Sequence, residues 1–223
     1  MKTRTPFLMS IALSAAMLLF ALATSAHLPA DAVLPIHWNA AGQPDGFAPA
    51  LWALLIPPAV FLALSALFAI TPRLEPLQDK LDGSAPVLQA SWVGMALLAL
   101  TVQLMIGLPA YGIVLPINML MLGLGLVLFI IGNALPKSRP GFFVGIRTPW
   151  AIADTDNWIA THRLGGKLFT LAGTVIIVAS IVPLPPIALS IIVPTAAVIA
   201  GLVPYAYSWW LWSNTRQRPA KGE

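Results

Sequence analysis

The chain has 223 residues, of which 58% are hydrophobic and only 9% are Asp, Glu, Lys or Arg, and its mean hydropathy is +0.85. A water-soluble domain carries about 25% charged residues, and a chain this apolar cannot cover itself with hydrated surface. That composition excludes a soluble enzyme, a disordered tail and a nucleic-acid binder, and leaves a polytopic membrane protein. Cys is absent, which removes disulfides, thiolate chemistry and Cys-based metal sites.

A bilayer core of roughly 30 Å takes about 20 mostly apolar residues per helix. Six segments fit, at about residues 7–26, 50–70, 87–108, 113–135, 168–183 and 187–212. Pro109, Gly112 and Pro116 divide the third from the fourth, and Pro183, Pro185 and Pro186 divide the last two. The fifth is short, with a start near Gly165 as the alternative. The expected fold class is an all-α membrane protein with about six transmembrane helices. It reads as one polytopic domain: a first helical hairpin over 1–70 with a structured outer loop, then a four-helix part over 87–212 with a cytoplasmic loop over 136–167.

Charge sets the orientation. Lys2 and Arg4 precede the first span, Arg73 and Lys80 follow the second, and Lys137, Arg139, Arg147, Arg163 and Lys167 follow the fourth. Arg216, Arg218 and Lys221 follow the sixth, so all 12 basic residues fall on one side. The positive-inside rule then puts both termini and the long fourth loop in the cytoplasm, and the net charge of +4 follows from topology. The first span admits a second reading. Lys2, Arg4, an apolar run and Thr24-Ser25-Ala26 also describe a cleavable signal peptide, although the run is long for one.

No ionisable residue lies well inside a span, and His27 sits at the outer edge of the first. Ion-coupled transporters keep such groups at mid-membrane, so coupled transport is disfavoured. Gln89, Gln103, Asn118 and Asn133 read as interhelical hydrogen-bonding residues. Gly123 and Gly125 are two apart, which is not a GxxxG pair, and serve at most a close helix approach. His27 and His37 lie outside and His162 inside, so the three cannot share a metal; His27, His37 and Asp45 are a weak three-ligand set. There is no HExxH, nucleophile elbow or phosphate-cradling loop. No enzyme and no cofactor are expected.

Two loops carry more than connection. The outer one reads Leu34-Pro-Ile-His37-Trp38-Asn39-Ala-Ala-Gly42-Gln-Pro-Asp45-Gly46-Phe47. Pro44-Asp45-Gly46 has turn chemistry, and Asn39 with Gly42 suggests a second turn. The loop serves either as an interfacial Trp anchor or as a docking surface for an external ligand. The inner loop contains Gly145-Ile-Arg147-Thr148-Pro-Trp150 and then Asp154 to Arg163. Asp154 or Thr155 is expected to cap a short helix that puts Trp158 and His162 on one face, with Thr161 beside them. Trp150, Trp158 and Ile159 would lay that helix in the membrane interface. Arg147, Arg163 and the helix N-terminus are a candidate anion site.

The inner motif, with Trp158 and Thr161-His162-Arg163, resembles the signature of the SdpI family. The outer loop resembles the small companion domain that precedes it in many members. The resemblance implies a bacterial membrane immunity protein against a secreted killing peptide, acting also in signal transduction by holding a cytoplasmic repressor at the membrane. It implies lipid, the peptide and the repressor as partners, with no direct contact to nucleic acid. It points to His37, Trp38, Asn39, Gly42, Asp45 and Gly46 as the ligand-facing outer set. Gly145, Arg147, Thr148, Trp150, Trp158, Thr161, His162 and Arg163 are then the signalling set. Gly141 departs from the pattern, since many members carry Asn there. The alternative functions are a small-solute transporter or an assembly subunit of a membrane complex.

Overall fold

A computed structural model describes residues 3–77 and 82–216. Lys2, Lys80, Arg218 and Lys221 of the charge tally lie outside the described residues. Six long apolar helices are present: α1 Arg4–His27, α2 Ala50–Leu74, α3 Ala85–Gly107, α4 Asn118–Ala134, α6 Thr155–Ile181 and α7 Pro186–Arg216, with the one-turn α5 Pro149–Ala153 before α6. Their apolar residues recur all round rather than in one stripe, as helices facing lipid require. Pro57, Pro58 and Pro72 lie inside α2, and Pro194 and Pro204 inside α7. Helices in lipid accommodate such prolines when neighbouring groups satisfy the freed carbonyls.

Two boundaries differ from expectation. The fourth span begins at Asn118, because Pro109, Gly112 and Pro116 hold the residues before it in a 3-10 turn and extended chain. The fifth begins at Thr155, so the second half of the presumed cytoplasmic loop is helix continuous with the span. The helix expected to lie in the interface is therefore the start of α6, and its Trp158 is fully buried.

The outer loop is a β-hairpin, which the helical reading did not foresee. β1 Val33–Trp38 pairs antiparallel with β2 Pro44–Pro49, with Leu34 opposite Ala48 and an irregularity between Pro35 and His37. Pro44-Asp45-Gly46 opens β2 rather than forming a turn. The turn lies just before it, where Asn39 Oδ1 accepts from the N–H groups of Ala41 and Gln43 at 2.9 and 3.1 Å. Gly42 there has φ +74°, a left-handed value at which other residues are strained. Leu34 is buried with Ala21, Ala50, Ala53, Leu54 and Ile106, and Trp38 packs on that cluster. The hairpin thus seals the end of α1, α2 and α3.

The opposite end is tied by polar contacts. Thr3 Oγ1 donates to Ala69 O at 3.3 Å. Ser84 Oγ donates to Arg139 O at 2.9 Å and accepts from Arg139 N–H at 3.2 Å. Trp92 Nε1 donates to Ser10 Oγ at 2.7 Å and Ser65 Oγ at 3.2 Å, joining α3 to α1 and α2. In the second half of the chain, α4 and α6 run against each other backbone to backbone. A Cβ added at Gly132 would lie 2.5 Å from Thr170 N, and one at Gly173 2.5 Å from Phe129 N. One at Gly125 would lie 3.0 Å from Gly173 O, and one at Gly166 2.9 Å from Gly132 O.

Candidate functional site: a buried polar knot beside an exposed arginine loop

The inner motif residues converge where α5, α6 and α7 meet. Thr148 Oγ1 caps α5 by accepting from Ala151 N–H at 3.0 Å and pairs with Ser208 Oγ of α7 at 2.6 Å. Asn157 donates to Ser208 O at 2.9 Å, while its Oδ1 accepts from Ser208 Oγ at 2.7 Å and from Thr161 Oγ1 at 3.0 Å. Buried polar groups have to be paired to be tolerated, and each of these is.

One turn further, Trp158 and His162 are stacked, with ring centroids 4.1 Å apart at 17°. Both are fully buried. The Ile146 N–H can only donate, so His162 Nε2 accepts from it at 2.8 Å. Trp158 O can only accept, so His162 Nδ1 donates to it at 2.8 Å. The two partners therefore fix a neutral ring with its proton on Nδ1. Trp158 Nε1 donates to Ser138 Oγ at 3.1 Å, and that hydroxyl donates to Leu135 O at the end of α4. Gly145 fits against this pair for two reasons: its φ is +113°, and a Cβ would lie 2.5 Å from His162 Nε2.

The segment before Gly145 forms an exposed loop held at both ends. The Glu75 carboxylate, at the end of α2, accepts from Phe142 N–H at 2.9 Å and Phe143 N–H at 3.1 Å. His162 holds Ile146 at the other end. Arg147 is exposed and donates from Nη1 to Phe142 O at 3.2 Å. Gly141 lies under Glu75, where a Cβ would be 3.2 Å from Oε2. The carboxylate thus fills the space beside Gly141.

The predicted residues sort into different roles. Gly145, Thr148, Trp158, Thr161 and His162 build the knot. Arg147 lies on the loop, and Arg163 is exposed on α6. Trp150 packs its ring on Tyr205 and Trp212 of α7 at 5.6 and 5.8 Å. The expected anion site at the start of α6 is not formed. Asp154 Oδ1 already caps that end, accepting from Asp156 N–H at 2.8 Å and Asn157 N–H at 3.4 Å, and its carboxylate would repel an anion.

At the hairpin end, His37 Nδ1 meets Asp45 Oδ1 across the strands, and both side chains are exposed. Gly46 permits this crossing, since a Cβ there would lie 2.9 Å from His37 Cβ. Asn39, Gly42 and Trp38 shape the hairpin. His27 does not join the pair; it stacks on Tyr111 at 5.3 Å. Among the described residues, no group of three or more His, Cys, Asp or Glu could hold a metal ion.

The sequence reading missed Glu75, Ser138, Asn157 and Ser208. Asn157 follows its cap Asp154 by three residues, which was a local signal. Ser208 and Glu75 are single polar residues far away in sequence, and only the packing brings them in.

Residues 137–208 match the SdpI/YfhL protein family, and every member of the knot from Ser138 to Ser208 lies within that stretch. Residues 12–62 match a second family, Domain of unknown function (DUF1648), which takes in α1 from its third turn, the hairpin and the first half of α2. Immunity protein SdpI of Bacillus subtilis (strain 168) is 28% identical over 184 residues, covering 81% of this chain and 85% of that protein. No solved structure matches. The SdpI/YfhL stretch thus begins at the end of α4 and ends where α7 closes over the knot.

Proposed function

We propose that the chain is a multi-pass immunity protein of the bacterial cytoplasmic membrane that protects against an antimicrobial killing peptide. The observation that carries this reading is the similarity to an immunity protein over most of both chains. The basic end faces the cytoplasm and the hairpin faces outward, where His37 and Asp45 meet the peptide. The knot holds the loop bearing Arg147 in one shape, and that loop recruits a cytoplasmic repressor. Peptide binding must favour one of two arrangements of the bundle for a signal to pass.

The test is survival of a peptide-sensitive bacterium that expresses the chain and is challenged with the killing peptide encoded beside its gene. Wild type is expected to protect. Arg147→Ala should reach the membrane at normal levels and lose protection, because the exposed guanidinium contributes only one hydrogen bond to its own loop. Full protection by a well-inserted Arg147→Ala protein would remove the loop from the mechanism.

A further inference from the structure

Two grooves flank α3 at the basic end of the bundle. The first, about 460 Å³, lies between α1 and α3 and is almost wholly apolar, walled by Met9, Leu13, Ala96 and Leu97. The second, about 320 Å³, lies between α3 and α4 and includes Asn133 and Lys137. Gln89 and Val93 line both, so one ridge of α3 separates them.

The polar groups on that ridge have little to do within the protein. Gln89 is exposed on the second turn of α3 and makes no hydrogen bond among the described residues. Asn133 is exposed on α4, and its amide donates only to Phe129 O of its own helix, at 3.1 Å. Free amides facing hydrocarbon are costly. Lys137 is exposed at the mouth of the same groove, with Arg139 two residues on. A cation and two amides at the membrane boundary, above an apolar groove, are complementary to an anionic glycerophosphate with an acyl chain attached. The groove between α6 and α7, about 360 Å³, offers a contrast: Leu, Ile, Val and Ala line it with one Thr, and it holds no cation or amide.

We propose that this face binds one anionic phospholipid, its phosphate at Lys137, Asn133 and Gln89 and an acyl chain in the α1–α3 groove. The site is independent of which membrane face the basic end occupies and of any killing peptide.

Native mass spectrometry of the purified full chain, given equal amounts of phosphatidylglycerol and phosphatidylcholine with the same acyl chains, tests it. Wild type should retain phosphatidylglycerol preferentially. Lys137→Ala should lower that preference about fivefold, the effect expected for one cation near an anionic headgroup. Ala96→Trp, which fills the acyl groove, should lower retention of both lipids. Arg73→Ala, an exposed cation at the end of α2 outside the grooves, should leave the preference unchanged. Equal retention of the two lipids by wild type would overturn the proposal. So would equal losses in Lys137→Ala and Arg73→Ala, which would mean general surface charge, or unchanged retention in Ala96→Trp.

Discussion

His162 is the residue on which the inner motif turns. Its ring joins α6 to the loop through Ile146 and lies flat on Trp158. A His162→Leu variant keeps the volume but leaves the Ile146 N–H without its acceptor and the Trp158 carbonyl without the Nδ1 donor, at a cost of about 1–3 kcal/mol. Thermal unfolding of the detergent-solubilised protein should show a lowered Tm. Gly145→Ala should lower it as well, since the added methyl meets the ring and the φ of +113° strains it; an unchanged Tm in both would mean that the knot does not stabilise the fold. The sequence exposed much of this site: Trp158 and His162 were legible as an i, i+4 pair, and Asp154 as a cap. Their burial was not legible, because an aromatic and a histidine in a basic loop also describe an interface anchor. What decided between the two was Ser208, 51 residues from Asn157, and nothing local announces a partner so distant.

At the scale of elements, the helices were readable and their seams were not. Hydropathy located all six spans because length and apolar content suffice for that. Of Gly123 and Gly125, expected at most to allow a close helix approach, Gly125 makes one, against α6; its companions escaped notice because they do not follow a spacing of four. The pairs in use are Gly125 with Gly132 and Gly166 with Gly173, each seven apart, which brings them to the same face after two turns. Small residues let helix backbones approach in lipid, where close packing replaces the hydrophobic effect. Gly173→Val should therefore destabilise by about 1–3 kcal/mol through overpacking, read as a lower unfolding temperature. Gly201, which faces open space on α7, supplies the comparison: Gly201→Ala should be neutral or stabilising. Equal effects at the two positions would refute close packing as the reason for glycine in α4 and α6. The hairpin escaped notice because three prolines, two glycines and an irregular register blur the strand alternation in 33–49.

For the whole molecule, the orientation is directly measurable, since the chain has no native Cys to give background labelling. A His37→Cys protein in intact cells should react with a membrane-impermeant maleimide, and an Arg163→Cys protein only after permeabilisation. The reverse pattern would invert the proposed topology. The helices also differ widely in length. At about 1.5 Å per residue, α7 with 31 residues is about 46 Å long and α4 with 17 residues about 26 Å. The 3-10 turn Leu135–Lys137 carries the fourth span on to 20 residues, about 31 Å at the rises of the two helix types, which matches a hydrocarbon core of roughly 30 Å. The glycine seam fixes α4 to α6, so this span cannot lengthen to suit a thicker membrane. Longer acyl chains would draw the exposed, extended Val114 into hydrocarbon unless the bilayer pinches inward around it. The protein should accordingly be most resistant to heat in vesicles of matching thickness and lose stability as the acyl chains lengthen, so that its shortest span acts as a gauge of membrane thickness.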